Sequence, residues 1–285
     1  MEPFTTSLRL RVSIAKDSDR LLISRLCRRA VGRSDYVLRI LSTIIARDTL
    51  FLGWDGSGLV GMTNFDRCID GSGWLSAART DPDWRGRGVA TFLQRKIAAY
   101  AEQQGIGTLR LWVSSENRSS VRACEHGGFR QVCEAARISR KLTIGKSCGK
   151  VSSSTPPEAQ LLPVLKSRYT AKTRGYIGYG RHFLKLTRSL LTHLRDEGEL
   201  YIIEEEAFLV SRPETTFGTP QSSLAVLEGS FAKTLNAAKE IARGMGARML
   251  GSYIPYSPYE LSVAKKLGFR TNPWGKHCLV FEKKI

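Results

Sequence analysis

Residues 81–96, DPDWRGRGVATFLQRK, set two glycines and two arginines directly ahead of an amphipathic run whose apolar positions are Val89, Phe92, Leu93 and Ile97. A strand-like segment ends at Thr80, so the local order is strand, Pro82 turn, glycine loop, helix. A helix start leaves its first N–H groups without intrahelical partners and carries the positive end of the helix dipole. Gly86 and Gly88 let the backbone come close to an anion, and Arg85 and Arg87 add positive charge around it. The pattern reads as a pyrophosphate cradle; the alternative is that the glycines only shape the turn.

The flanking sequence alternates strand-like and helix-like segments. A strand is expected over 8–14, a helix capped by Asp17 or Ser18 running to Ala30, and a second helix over 36–46. Strands follow over 50–54, 59–65 and 74–80, joined by DGSG at 55–58 and again at 70–73. The helix after the glycine loop stops at GIG, 105–107, and TLRLWV is a buried strand. Asn117 caps a short helix that Gly127 and Gly128 end, and FRQVCEA and ARISRKL are expected as a closing pair of strands.

Two motifs on this element order resemble the Gcn5-related N-acetyltransferase superfamily. Its Arg/Gln-x-x-Gly-x-Gly/Ala signature is matched by Arg85, Gly88 and Ala90, and its Asn followed eleven residues later by Gly-Phe is matched by Asn117, Gly128 and Phe129. The resemblance covers residues 8 to 142. It implies acetyl-CoA as co-substrate, with the backbone N–H groups of Arg85, Gly86, Arg87, Gly88, Val89 and Ala90 on the pyrophosphate. Ala78, Arg79 and Thr80 would pair their backbone with the pantetheine arm and acetyl carbonyl, and Asn117 would touch the same arm. The strands ending at Thr80 and beginning near Leu109 would splay apart to admit the thioester, with no metal required.

An amine attacks a thioester only when neutral, and a lysine-type amine is neutral about once in a thousand at pH 7, a handicap of about 4 kcal/mol. A base, a water chain or an α-amine acceptor has to meet that demand. The tyrosine that many family members place seven residues after the Asn, as an acid for the leaving thiolate, is replaced by Cys124. Cys124 is therefore a candidate acid, the alternative being a small packed residue with water as proton source. The carboxylate that some relatives carry five before the Asn is replaced by Trp112. Glu116 is a candidate base, although acids at helix starts commonly face solvent, and Asp66 at the end of its strand is another.

Residues 146–160, KSCGKVSSSTPPEAQ, read as a linker. Beyond it the first half is repeated in outline: strands LYIIEE, AFLVSR and LAVLEG, a helix over 231–243, and the strand ARMLGSYI. Ser257 stands eleven before Gly268 as Asn117 stands eleven before Gly128. Only GSF separates LAVLEG from its helix, so this copy lacks the glycine cradle. The expected fold class is α/β with mixed sheets: two acetyltransferase-like domains in tandem, 1–145 and 161–285, each a central sheet flanked by helices, with acetyl-CoA held once, by the first.

The formal net charge is +18, and the segment from Arg137 to Arg195 holds thirteen Lys or Arg against one acid, Glu158. Such a field attracts anions of any kind. Within it, 166–185 interleaves Tyr169, Tyr176, Tyr179 and Phe183 with basic residues, a composition suited either to nucleic-acid contacts along 166–195 or to core packing. Two functions stay open: an acetyl-CoA-dependent N-acetyltransferase acting on a small amine, an amino acid or a protein N-terminus, or a nucleic-acid- or ribosome-associated protein that keeps acetyl-CoA as a ligand. The six cysteines are scattered without metal-like spacing, and no apolar run suits a signal peptide or bilayer span; a cytoplasmic protein with free thiols is the expectation.

Overall fold

The computed structural model describes residues 9–143, 158–204, 206–271 and 277–285. The described chain divides into two units, one comprising 9–111, 118–130 and 282–285, the other 112–117 and 131–281. These boundaries differ from the expected 1–145 and 161–285. Strand pairing sets them: residues 135–141 pair with the second half of the chain, and the last four residues join the first unit. Of the expected linker, 146–157 lie outside the described residues and Glu158–Gln160 form a 3-10 turn.

In the first unit, β1 (Arg11–Ile14) is followed by α1 (Arg20–Ala30) and α2 (Val37–Ala46). Then come β2 (Leu50–Asp55), β3 (Gly58–Arg67), β4 (Gly73–Thr80), α3 (Val89–Gln103), β5 (Thr108–Ser114) and α4 (Arg118–His126). The strand order is β1-β2-β3-β4-β5, antiparallel as far as β4 and parallel between β4 and β5. The first DGSG closes the β2–β3 hairpin, with Asp55 paired to Gly58. One face of the sheet packs Leu50, Leu52 and Met62 against Ile23 and Leu26 of α1 and Val37 and Leu41 of α2. On the other face Val60 meets Val89 and Leu93 of α3.

The closing pair of strands expected over 129–142 is instead one strand, β6 (Arg130–Lys141). Ala135–Ala136 offers no turn-forming residue, so the extended backbone runs straight through. In the second unit β6 leads the sheet order β6-β13-β12-β10-β9, with β11 on β12 and β14 on β6. Its elements are α5 (Leu161–Leu165), α6 (Arg168–Lys172), β7 (Tyr176–Tyr179), β8 (His182–Lys185), α7 (Arg188–Asp196), β9 (Leu200–Ile203), β10 (Glu206–Val210), β11 (Glu214–Thr216) and β12 (Thr219–Glu228). They continue with α8 (Phe231–Gly244), β13 (Met249–Pro255), α9 (Pro258–Lys266), β14 (Arg270–Thr271) and β15 (Cys278–Lys284), whose residues from 282 onward count with the first unit. The sequence β9-β10-β12-α8-β13-α9 repeats β2-β3-β4-α3-β5-α4, with the same single parallel pair, β12 beside β13. Ser257 caps α9 by accepting from the Glu260 amide. Among the described residues no helix is long and apolar enough to cross a membrane.

Candidate active site

The site is built where β4 ends and α3 begins. Asp81 caps a 3-10 turn at Pro82–Trp84 by accepting from the Asp83 amide, and the chain then enters the glycine loop. Gly86 has φ 77° and Gly88 φ 83°, left-handed backbone that an L-residue adopts at a cost of about 1–2 kcal/mol. A Cβ built on either glycine meets nothing within 4 Å. The glycines are therefore set by conformation and by open space in front of the loop, which a side chain would occupy.

Gly88 is the N-cap of α3 and, lacking a side chain, caps no amide. Among the described residues the N–H groups of Gly86, Gly88, Val89, Ala90 and Thr91 have no hydrogen-bond partner, whereas Phe92 already donates to the Gly88 carbonyl at 2.9 Å. These five amides stand at the positive end of a 15-residue helix, where negative charge is favoured. Two of the six amides expected in the cradle are engaged: Arg85 N–H donates to Pro82 at 3.3 Å and Arg87 N–H to Trp84 at 3.4 Å. The two side chains are committed as well. Arg85 Nη2 donates to the Ala30 carbonyl at the end of α1 (2.7 Å), and the Arg87 guanidinium lies 5.0 Å from the centre of the Trp84 ring. They brace the loop as well as charging it.

Upstream, β4 carries the expected Ala78, Arg79 and Thr80. Ala77 has φ 52°, and the β3–β4 register shifts between Met62 and Asn64, so β4 bulges at this point. Registered pairing of β4 with β5 covers only Gly73↔Leu109 and Trp74↔Arg110. From Leu75 onward β4 runs past the end of that ladder, which leaves its backbone groups to other partners. The residues named from sequence at 78–80 and 85–90 thus come together in the first unit, whereas Glu116 and Asn117 count with the second. Both are exposed, in the turn between β5 and α4, and the Asn117 amide donates to the Ser114 carbonyl at 2.9 Å.

Cys124 lies on α4 and is 2% exposed. Burial, helped by the Glu125 charge, pushes its thiol up to about 12. A thiol so disposed is a poor proton donor to a departing thiolate, and the packing alternative describes it better.

Two ion clusters escaped the sequence reading. Arg79 makes a two-pronged bridge to Asp35, Nη2–Oδ1 2.6 Å and Nε–Oδ2 2.7 Å, and its Nη1 donates to the Ala78 carbonyl at 2.8 Å. Burial alone would raise the Asp35 carboxyl, but the Arg79 hydrogen bonds, the Val37 amide and the guanidinium charge outweigh it and hold it below the usual range. The bridge ties the α1–α2 connection to the β4 tip. Arg110, at the last registered β4–β5 pair, joins Asp70 (2.6 Å), Ser72 (2.8 Å) and Glu282 (2.7 Å). No one-dimensional signal marks either cluster, because their partners stand 44 and 172 residues apart.

Residues 23–129 match the family model described as acetyltransferase (GNAT) family. This part of the chain is a GNAT domain. An uncharacterized N-acetyltransferase of Methanocaldococcus jannaschii is 39% identical over 51 residues, which are 18% of this chain and 23% of that one; the chain thus spans under a quarter of this curated relative. A GCN5-related N-acetyltransferase from Sphaerobacter thermophilus aligns over 96% of this chain and 95% of its own with TM-score 0.56 and 14% identity. A protein of Thermoplasma acidophilum assigned to the acetyltransferases aligns over 93% and 89% with TM-score 0.54 and 17% identity. These structural likenesses run through both units and concern the fold.

The second unit repeats this element order, but the space beyond its parallel strand pair is filled. Registered β12–β13 pairing stops at Leu224↔Ser252. Beyond that point Ala225 and Val226 face Tyr253, Ile254 and Pro255 around a cavity of only about 10 Å³, also lined by Tyr169, Tyr176, Ile177 and Gly178. A Cβ on Gly178 would stand 2.5 Å from the Tyr253 Cβ, so β7 lies directly on β13. Room for about one water remains. The aromatics of the basic segment are spent here: Tyr169, Tyr176 and Phe183 are buried, and half-buried Tyr179 donates its hydroxyl to Glu199. Burial and the Glu199 charge push that phenol upward.

Proposed function

We propose that the protein is an acetyl-CoA-dependent N-acetyltransferase that passes the acetyl group directly to a primary amine, of a small molecule, an amino acid or a protein N-terminus. The observation that carries this reading is the row of five unpartnered amides from Gly86 to Thr91 beside a β4 edge that outruns its parallel partner. Pyrophosphate fits the row, because its oxygens supply the acceptors those amides lack and the glycines leave space for it. The β4 edge at Ala78–Thr80 suits an amide-bearing arm laid alongside as an added strand. When bound, acetyl-CoA supplies an activated acyl group as a thioester; the protein binds it, excludes water and presents the amine.

The filled space in the second unit supports one acetyl-CoA per chain, and the buried aromatics of 166–185 favour the enzyme over the nucleic-acid reading. Calorimetric titration is expected to give one acetyl-CoA per chain, and incubation with a panel of amines, amino acids and peptides to give a product heavier by one acetyl group in the mass spectrum. Two equivalent sites would break the division of labour between the units. Binding without transfer to any amine of the panel would leave a ligand-holding protein instead of an enzyme.

A further inference from the structure

We infer that Arg79 is a positioning residue for acetyl transfer, holding the Ala78 carbonyl on the open edge of β4 so that the peptide groups beside the bulge keep one orientation; this rests on the acetyltransferase reading. The direction of that carbonyl follows from the β3–β4 ladder. The Asp81 amide donates to the Val60 carbonyl at 2.9 Å, and two residues earlier Arg79 stands opposite Met62, so the amide and carbonyl of Arg79 also face β3. A Cβ built on Gly61 would stand 3.3 Å from the Arg79 carbonyl oxygen, as that direction requires. In a trans peptide the Ala78 carbonyl points opposite to the Arg79 amide, away from β3. It therefore lies on the edge that registered pairing with β5, which ends at Trp74↔Arg110, does not cover.

This stretch of β4 needs holding. Ala77 has φ 52°, a left-handed backbone that persists in a residue other than glycine only where its surroundings fix it. With Met62 opposite Arg79 and Asn64 opposite Ser76, residues 77 and 78 share the single residue Thr63 across the ladder, which leaves pairing locally disrupted. Arg79 supplies a bond from its own side chain, Nη1 donating to the Ala78 carbonyl at 2.8 Å. Its other nitrogens are fixed: Nε and Nη2 donate to the two oxygens of Asp35 at 2.7 and 2.6 Å, and the guanidinium carbon lies 5.3 Å from the centre of the Tyr36 ring. Asp35 is pinned in turn. The Val37 amide donates to its Oδ1 at 3.1 Å, and so does the buried Cys27 thiol to the carboxylate, a thiol that burial and the Asp35 charge push up to about 12 and keep neutral. Asp35 is 2% exposed, whereas Ala78 is exposed. A guanidinium anchored in the core thus ends on an open backbone group.

An amide-bearing arm laid along β4 as an added strand reads peptide groups at fixed spacing. The acyl carbon at the end of that arm meets the amine only while those groups stay in place, and a displacement of about 1 Å costs on the order of a hundredfold in rate. The bonds Arg79 makes are to Asp35 and Ala78 and not to the amides of the glycine loop. Rate and cofactor affinity should therefore separate.

The test uses two variants of the full chain, with acetyl-CoA Kd, melting temperature and kcat measured on an acceptor that the wild type uses. Arg79→Lys keeps a charge for Asp35 but offers one nitrogen in place of the planar fork. The double variant Arg79→Met, Asp35→Leu replaces the buried pair by apolar groups and strands neither charge, so it decides the matter even where the lysine variant fails to fold. In both, kcat is expected to fall about tenfold to a hundredfold at an acetyl-CoA Kd within about threefold of wild type. A folded variant with kcat within about twofold of wild type, or a fall in kcat matched by an equal loss of acetyl-CoA affinity, overturns Arg79 as a positioning residue while the enzyme reading stands. A wild type that binds acetyl-CoA but acetylates no amine overturns both.

Discussion

Replacing Gly88 by valine separates the conformational role of the glycine loop from general stability. Gly88 has φ 83° and no atom within 4 Å of a Cβ built on it, so valine meets no clash and its cost is backbone strain, about 1–2 kcal/mol or somewhat more for a β-branched side chain. That is a fraction of the about 5–15 kcal/mol that holds a typical domain together, and the chain should stay folded. The strain is relieved if residue 88 leaves the left-handed region, which turns the Val89 and Ala90 amides away from their common direction. Losing two hydrogen bonds to a charged acceptor costs about 3–6 kcal/mol at 1.5–3 each, on the order of a hundredfold to ten-thousandfold in Kd. Calorimetry with acetyl-CoA measures this directly. Gly56→Val is the control: at φ 55° in the β2–β3 turn, also with open space around it, it carries the same strain away from the loop. Affinity of the Gly88 variant within about threefold of wild type, or equal losses in both variants, would refute the reasoning.

Asp35→Ala leaves Arg79 without its buried partner and should cost about 3–5 kcal/mol in urea unfolding. Because the folded carboxyl of Asp35 is held below its usual range, the stability it adds is complete above the unfolded pKa near 3.9 and is lost as pH falls through the lower folded value; Asp35→Asn should therefore show a flatter acid limb in stability against pH. Arg110→Met takes the buried guanidinium away from Asp70 and Glu282 and should destabilise by about 3–5 kcal/mol. Removal of residues 282–285 should lower the unfolding midpoint in the same direction, and an unchanged midpoint would deny those residues a part in the first unit. Cys124→Ala is expected to keep most of the turnover and lose about 1 kcal/mol of stability, and the native thiol should resist an aromatic disulfide reagent until the chain unfolds; a hundredfold loss of kcat at unchanged cofactor affinity would restore Cys124 as the acid.

Local rules made the glycine loop legible. Gly-x-Gly ahead of an amphipathic run, after Pro82, is a short-range pattern whose backbone consequence, positive φ at Gly86 and Gly88, needs no distant partner. The same holds for the three strands punctuated by DGSG and for the Ser257 helix cap. What the two arginines of the loop do was not legible. Their charge invited a direct role at an anion, and only the folded chain brings the Ala30 carbonyl and the Trp84 ring to them.

Long-range pairing decided the rest. Residues 129–142 satisfy strand propensity as one segment or as two, and the choice was made by β13, which offers residues 135–141 a ladder from the second half of the chain. The last four residues carry no motif, yet Glu282 meets Arg110 across 172 positions and Ile285 donates to the Gly107 carbonyl at 3.2 Å. The aromatics of 166–185 read as a stacking surface or, more readily, as core, and only the folded chain shows Tyr169, Tyr176 and Phe183 buried, with Phe183 edge-on to Tyr253. In each case composition and spacing specify how a segment bends and which face is apolar, while the partner that satisfies its backbone, its charge or its ring is supplied by a segment far away in sequence, whose arrival depends on the whole chain having folded.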